Sequence, residues 1–146
     1  MAEDVDLLTP SQDALFAALA PLAGAADRPD DLSPDLAQLQ VFQHLPENTQ
    51  PPYILIGTIE ADDFASRDEQ ASTIKAEVIT VWRGNRRREL LWMMWQVRRR
   101  LNYQRIAADG AAFNRPQIEK EIASEAIADG VTYTGLSTFT FTAQPA

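Results

Sequence analysis

Few residues in this chain could do chemistry, and their spacing argues against catalysis. Asp62, Asp63, Asp68 and Glu69 lie close together in ADDFASRDEQ and could offer oxygens to a hard cation. They lack the regular oxygen spacing and internal glycine with which a calcium loop wraps its ion. Paired carboxylates acting as acid and base need a cleft that raises one pKa, and these four stand in polar sequence. The one histidine, His44, sits beside Leu45 and Pro46 and reads as a structural or surface residue. A single imidazole gives little basis for a histidine metal site or a Ser/His relay, and zero cysteines exclude disulfides, thiolate metal sites and cysteine nucleophiles. Gly84 opens GNRRR ahead of a helical stretch, but that run has neither the glycine spacing nor the Lys-Ser/Thr pair of a phosphate-binding loop. The expectation is a protein that is not an enzyme and needs no metal or cofactor.

The charged residues point to surfaces instead. The formal net charge is −8, yet between Arg83 and Arg105 there are eight arginines and one acid, Glu89, giving +7 and leaving −15 on the rest of the chain. Such a division favours electrostatic complementarity between adjacent copies. A nucleic-acid patch is the competing reading, because Arg86, Arg87, Arg88, Arg98, Arg99 and Arg100 could neutralise phosphates. Each triplet spans about 200° of a helix, so the six make no continuous stripe. The plain alternative is solvated helix ends with acidic partners inside the same subunit. Arginines at a helix C-terminus suit the dipole; those at the N-terminus oppose it and need a carboxylate, for which a neighbouring copy is one candidate.

The helix between the triplets positions all of this. From Arg86 to Leu101 there is neither proline nor glycine, and Gly84 and Asn85 supply a turn and a possible N-cap. Leu90, Met94, Val97 and Leu101 share one face at 100° per residue and form the core stripe. Leu91, Trp92 and Trp95 then project elsewhere, and a helix apolar on two sides is buried on two sides. Either a second layer of the same domain covers Trp92, or Trp92 or Trp95 meets a neighbouring subunit, since interface cores are rich in Trp, Met and Arg.

The remaining elements frame that helix. Residues 1–10 read as a flexible acidic N-terminus and 11–146 as one domain. The acidic N-terminal residues read as carrying no secretory signal, and no apolar run is long enough to span a membrane as a helix. Thr9 or Ser11 could cap a first helix over 11–22, with Leu15, Phe16, Leu19 and Leu22 at helical spacing. Residues 23–34 read as loop, with a short helical turn possible from Pro34, and Val41 and Phe42 as a short strand. YILIGTIE over 53–60 is a central strand, 61–70 a protruding acidic loop with Phe64 among charges, and 71–83 a long strand. In that strand Ile74, Ala76 and Val78 share one face and Ile79 and Val81 the other, which calls for a bulge or for cover on both faces. Residues 103–107 read as a possible strand, Asp109 and Gly110 as a turn, and 117–127 as a strand rather than a helix. Asp129 and Gly130 are the best hairpin signal, before the alternating segment VTYTGLSTFTFTA.

Three ordered segments carry a resemblance. PPYILIGTIEADDFASRDEQASTIKAEVITVW, RRRELLWMMWQVRRRLN and IADGVTYTGLSTFTFTA resemble the tail terminator, or tail completion, proteins of long-tailed bacteriophages and of gene transfer agents. The shared features are Pro52 and Tyr53 opening a strand, the D-D-x-x-S loop of Asp62, Asp63 and Ser66, Val81 and Trp82 closing a strand, then an amphipathic helix and a last strand after an acidic turn. The resemblance covers about two-thirds of the chain. It implies an α+β fold, with an antiparallel or mixed sheet flanked by helices, that assembles as a hexameric ring. In that family the ring caps the tail tube, stops its polymerisation and presents the surface to which the head docks. The implied partners are further copies of the chain, the tail tube protein and a head-to-tail connector or neck protein, with DNA passing through the lumen without specific binding. The implied location is the head-proximal end of the virion tail, after synthesis in the bacterial cytoplasm. A ring needs heterologous contacts, so one face must complement a different one. Trp92, Trp95 and the six arginines are the candidate subunit interface; Asp62, Asp63, Phe64, Asp68 and Glu69 are the candidate contact with the tube or lumen. A neck or connector subunit, and a small DNA-binding regulator using the arginine-rich helix, are the alternatives.

Overall fold

The computed structural model describes residues 4–64 and 69–146. Leu8–Leu19 form α1, continued by a 3-10 turn at Ala20–Leu22, and Pro34–Gln38 form a second 3-10 turn. Strand β1 is Gln40–Phe42, β2 Tyr53–Asp63 and β3 Ser72–Arg83; α2 is Arg88–Leu101; then follow β4 Ala111–Phe113, β5 Gln117–Ala123 and β6 Thr132–Pro145. The six strands make one mixed sheet in the order β1-β2-β3-β6-β4, with β5 also paired to β6. Among the described residues, β1–β2 is the one parallel pair. The fold is α+β, as the resemblance implied.

Alternation explains how the layers form. Ile74, Ala76, Val78, Thr80 and Trp82 of β3 are buried, and so are Phe139, Phe141 and Ala143 of β6, beneath the two helices. Leu15, Leu19 and Leu22 and the α2 stripe Leu90, Met94, Val97 and Leu101 close that core from above, together with Met93. Helix α1 lies against β1 and β2, and α2 against β3, β6 and β5. Among the described residues, no helix packs on the opposite face of the sheet. Gly135 allows the close approach of α2: a Cβ there would overlap Thr80 Oγ1 and the Met94 side chain.

Several boundaries differ from the sequence reading, each for a physical reason. Helix α1 begins at Leu8, not residue 11, and neither Thr9 nor Ser11 caps it. Asp6 Oδ1 accepts from the Leu8 and Thr9 N–H groups at 2.9 and 3.1 Å, while the Ser11 hydroxyl donates to the Leu7 carbonyl. Within residues 1–10, Leu7 and Pro10 are buried, and the Gln70 side-chain amide bonds both the N–H and the carbonyl of Val5 at 2.8 Å. Strand β2 runs on through Asp62 and Asp63, which pair with Thr73 and Ser72, so these two acids belong to a ladder and not to a loop. The bulge falls in β2, between Ile56 and Ile59, and β3 keeps a single register against β6 along its whole length. The pre-helical turn extends to Arg87, which takes the N-cap position instead of Asn85. Residues 103–107 are not a strand: Tyr103 turns the chain with φ +60°, and Gly110, at φ +94°, leads into β4, which the sequence had not revealed. Strand β5 ends at Ala123, four residues short of the expected 127.

Candidate functional site

Helix α2 and its two ends hold most of the residues that the sequence singled out. At the N-terminal end, Arg86 Nε lies 3.1 Å from both oxygens of Glu89 and its Nη2 2.9 Å from Glu89 Oε2, with a further bond from Nη2 to the Asp31 carbonyl at 2.6 Å. Glu89 is 1% exposed and also accepts from the Ser33 N–H. That hydrogen-bonded carboxylate raises the Arg86 pKa. Arg88 pairs with Asp31 at 3.0 Å, and Arg87 donates to the Ser124 carbonyl at 3.2 Å. The charge that opposes the helix dipole is thus met within the chain itself.

The C-terminal triplet is different. Arg98 pairs with Glu121 of β5 at 2.6 Å. Arg99 and Arg100 are exposed and form no ion pair among the described residues; with Arg105, Gln96, Gln104 and Asp27 they line a groove between the two helices. Around the cylinder, Trp92 is half-buried against the core, whereas Trp95 is 53% and Leu91 48% exposed. Leu91, Met94, Trp95, Arg98, Glu121 and Ala123 line a shallow groove of about 360 Å³ beside β5. Of the two tryptophans, Trp95 is the one offered to solvent. Leu91, one turn before it, projects off the core stripe as its spacing predicts and stands beside Trp95; the i, i+4 spacing is the signal that joins the two.

The acidic residues gather at the far end of the β2–β3 hairpin. Asp62, Asp63 and Glu69 are exposed, Phe64 is 58% exposed, and Asp68 and Ser66 lie outside the described residues. Asp63 accepts from the Ser72 hydroxyl at 2.6 Å, a bond that ties the last pair of the ladder. Among the described residues no three histidine or acidic side chains converge as a metal site.

The helix-free face of the sheet bears a concavity of about 340 Å³ lined by Glu60, Lys75, Glu77, Glu119 and Lys120 with Ile122 and Leu136 at one end. Lys75 and Glu119 are 3.5 Å apart and both about half exposed, a solvated ion pair. The edge of the sheet is reached through the turn before β6. There Asp129 accepts from the N–H groups of Val131 and Thr132 and from the Thr132 hydroxyl. These bonds, that of the Thr132 side chain foremost, lower its pKa below the ordinary carboxylate value.

The arrangement is a two-layer α+β fold in which, among the described residues, one sheet face carries no helix, Leu91 and Trp95 are exposed on α2, and charge is divided between α2 and the rest of the chain. The comparison with solved structures agrees with the fold. The chain superposes on a chain of the "virion of native gene transfer agent (GTA) particle" with a TM-score of 0.68 and 10% identity, over 97% of this chain and 98% of that one. No protein-family model and no curated protein matches the sequence.

Proposed function

We propose that this chain is a structural subunit of a phage-like particle, a tail terminator that closes the head-proximal end of the tail tube as a hexameric ring, stops tube growth and forms the surface on which the head docks. The observation that carries this reading is the likeness to a virion chain over nearly the full length of both, at a TM-score of 0.68, in a sequence whose ordered segments resemble tail terminators. The exposed Leu91 and Trp95 and the division of charge support a role exercised through surfaces. In this reading the partners are further copies of the chain, the tube protein below and a connector protein above, and the β2–β3 hairpin with Asp62, Asp63, Phe64, Asp68 and Glu69 meets the tube or lines the lumen. Two experiments test it. Light scattering over a concentration series, alone and with preformed tail tubes, is expected to give closed rings near six times 16.2 kDa in solution or on tube ends. Particles made without the chain are expected to carry tubes of uncontrolled length; tubes of normal length would end the terminator reading. Binding to the connector but not to tube ends would move the subunit to the neck. Steeply salt-dependent binding to duplex DNA without any ring would instead favour a regulator.

A further inference from the structure

One cationic cluster is left over once the ion pairs of α2 are assigned. Arg86, Arg88 and Arg98 are paired with Glu89, Asp31 and Glu121, whereas Arg99, Arg100 and Arg105 are exposed and make no ion pair among the described residues. All three line the groove of about 490 Å³ between the C-terminal halves of α1 and α2. Asp27 lines it too but is ion-paired with none of them. Helical spacing builds one wall: Gln96, Arg99 and Arg100 stand at i, i+3 and i+4, a single patch of α2. Opposite, the small side chains of Ala17 and Ala18 leave the space open. Leu15, Leu19, Val97 and Leu101 are fully buried in the common core, which holds the two helices in place.

Gln96 is an observation independent of charge. It is 7% exposed and lines the groove, and its side-chain amide has no hydrogen-bond partner among the described residues. A largely buried amide left without a partner is costly to keep, and this one opens on the three free arginines.

We infer that this groove binds an acidic peptide segment of a partner protein, with carboxylates on the arginines and backbone on Gln96 and Asp27. The planar fork of arginine matches a carboxylate. An amide side chain both donates and accepts, as a peptide bond requires, and Asp27 can accept a backbone N–H. A DNA backbone offers acceptors to the arginines but no donor to Asp27, which repels its closely spaced charges. The net charge of −8 works against any anion at long range, so the attraction is local to the groove. This site is separate from ring closure and does not depend on it.

Fluorescence anisotropy tests the assignment with a short labelled peptide alternating Glu and Gly, its Gln-for-Glu counterpart and a single-stranded DNA of equal charge. The acidic peptide is expected to bind wild type at least about 10-fold more tightly than either control. Arg99→Gln with Arg100→Gln should weaken it about 10- to 30-fold, and Gln96→Leu, which removes no charge, about 5-fold. Should Gln96→Leu lose its native circular dichroism, Gln96→Glu replaces it: the new carboxylate competes for the arginines and should weaken the peptide at least as much. Arg88→Gln, outside the groove, should change binding less than about 2-fold. No binding of the acidic peptide, or equal binding of its glutamine counterpart, overturns the inference. So does an effect of Arg88→Gln as large as that of the double variant, or a folded Gln96 variant that binds like wild type, since either would mean unspecific attraction. Tighter binding of the DNA, lost with the same arginines, would assign the groove to phosphates instead and overturns it as well. Ring formation is read separately by light scattering, so failure of either conclusion leaves the other standing.

Discussion

The two arginine triplets of α2 are written alike and live in opposite circumstances. Arg86, Arg87 and Arg88 stand where the helix dipole is positive, and the fold meets each of them with an oxygen: Glu89, the Ser124 carbonyl and Asp31. Arg98, Arg99 and Arg100 stand where the dipole is negative, and only Arg98 has an acidic partner among the described residues. The difference teaches that a charge in an unfavourable field is compensated inside the chain, while one in a favourable field needs no such partner. The first triplet is held by the fold; of the second, Arg98 is held by Glu121, and Arg99 and Arg100 are open among the described residues.

The strongest way to break that comparison is Glu89→Ala. It strips a nearly inaccessible carboxylate from Arg86 and the Ser33 N–H, and should cost about 2–3 kcal/mol, toward the lower side for a buried ion because Arg86 is itself half exposed. The denaturant midpoint reads this directly, and a loss below about 0.5 kcal/mol would mean that the first triplet is not structurally held. Gly135→Ala attacks the common support of both ends, the seat of α2 on β6; overlap with Thr80 and Met94 should cost about 1–2 kcal/mol. Arg99→Gln with Arg100→Gln should leave stability within about 0.5 kcal/mol, since these side chains lose only their interaction with the helix terminus. A large loss in that double variant would show that the second triplet is structural as well.

The smallest effect concerns acid. Asp129 has a folded pKa below its ordinary value, so its contribution is fully present above the unfolded pKa near 4 and disappears as pH falls through the folded value. Asp129→Asn should flatten the acid side of the stability profile below about pH 4 and leave the neutral region alone in slope. An unchanged acid limb would mean that the Asp129 turn does not persist in solution.

Legibility followed periodicity. The α2 stripe and the alternation of β3 and β6 were readable because each repeats over several residues, and each repeat names a buried face. Strand β4 was not, because Ala111–Phe113 is three residues long and holds no period; it exists by pairing with Ala143, Gln144 and Pro145. Residues 103–107 looked extended from Tyr103 and Ile106, but the positive φ at Tyr103 and the hydrogen bond from its N–H to the Pro116 carbonyl override local preference. Asp62 and Asp63 read as loop because aspartate is poor in strands, yet the ladder to Thr73 and Ser72 carries them. In the candidate site, the triplets and the apolar residues off the core stripe were visible at once, but not that Trp92 packs against the core and Trp95 does not. The partners of the triplets were not visible: Asp31 lies 57 positions before Arg88 and Glu121 lies 23 after Arg98, separations that no local pattern connects.

The sequence by itself therefore determined the amphipathic helix and its core stripe, the long hairpin strands and the split of charge between one helix and the rest of the chain, while the α+β class came from the resemblance. These depend on residue type and short-range spacing, which fix backbone preference and the face that must leave water. Only the tertiary structure decided that Trp92 turns inward while Trp95 stays out, that one arginine triplet is bound and the other largely open, and that β1 and β5 end as opposite margins of one sheet. Those outcomes depend on which distant segments meet, and that is settled by the packing of α1 and α2 on one face of the sheet and by the pairing of β6 with strands on both of its sides.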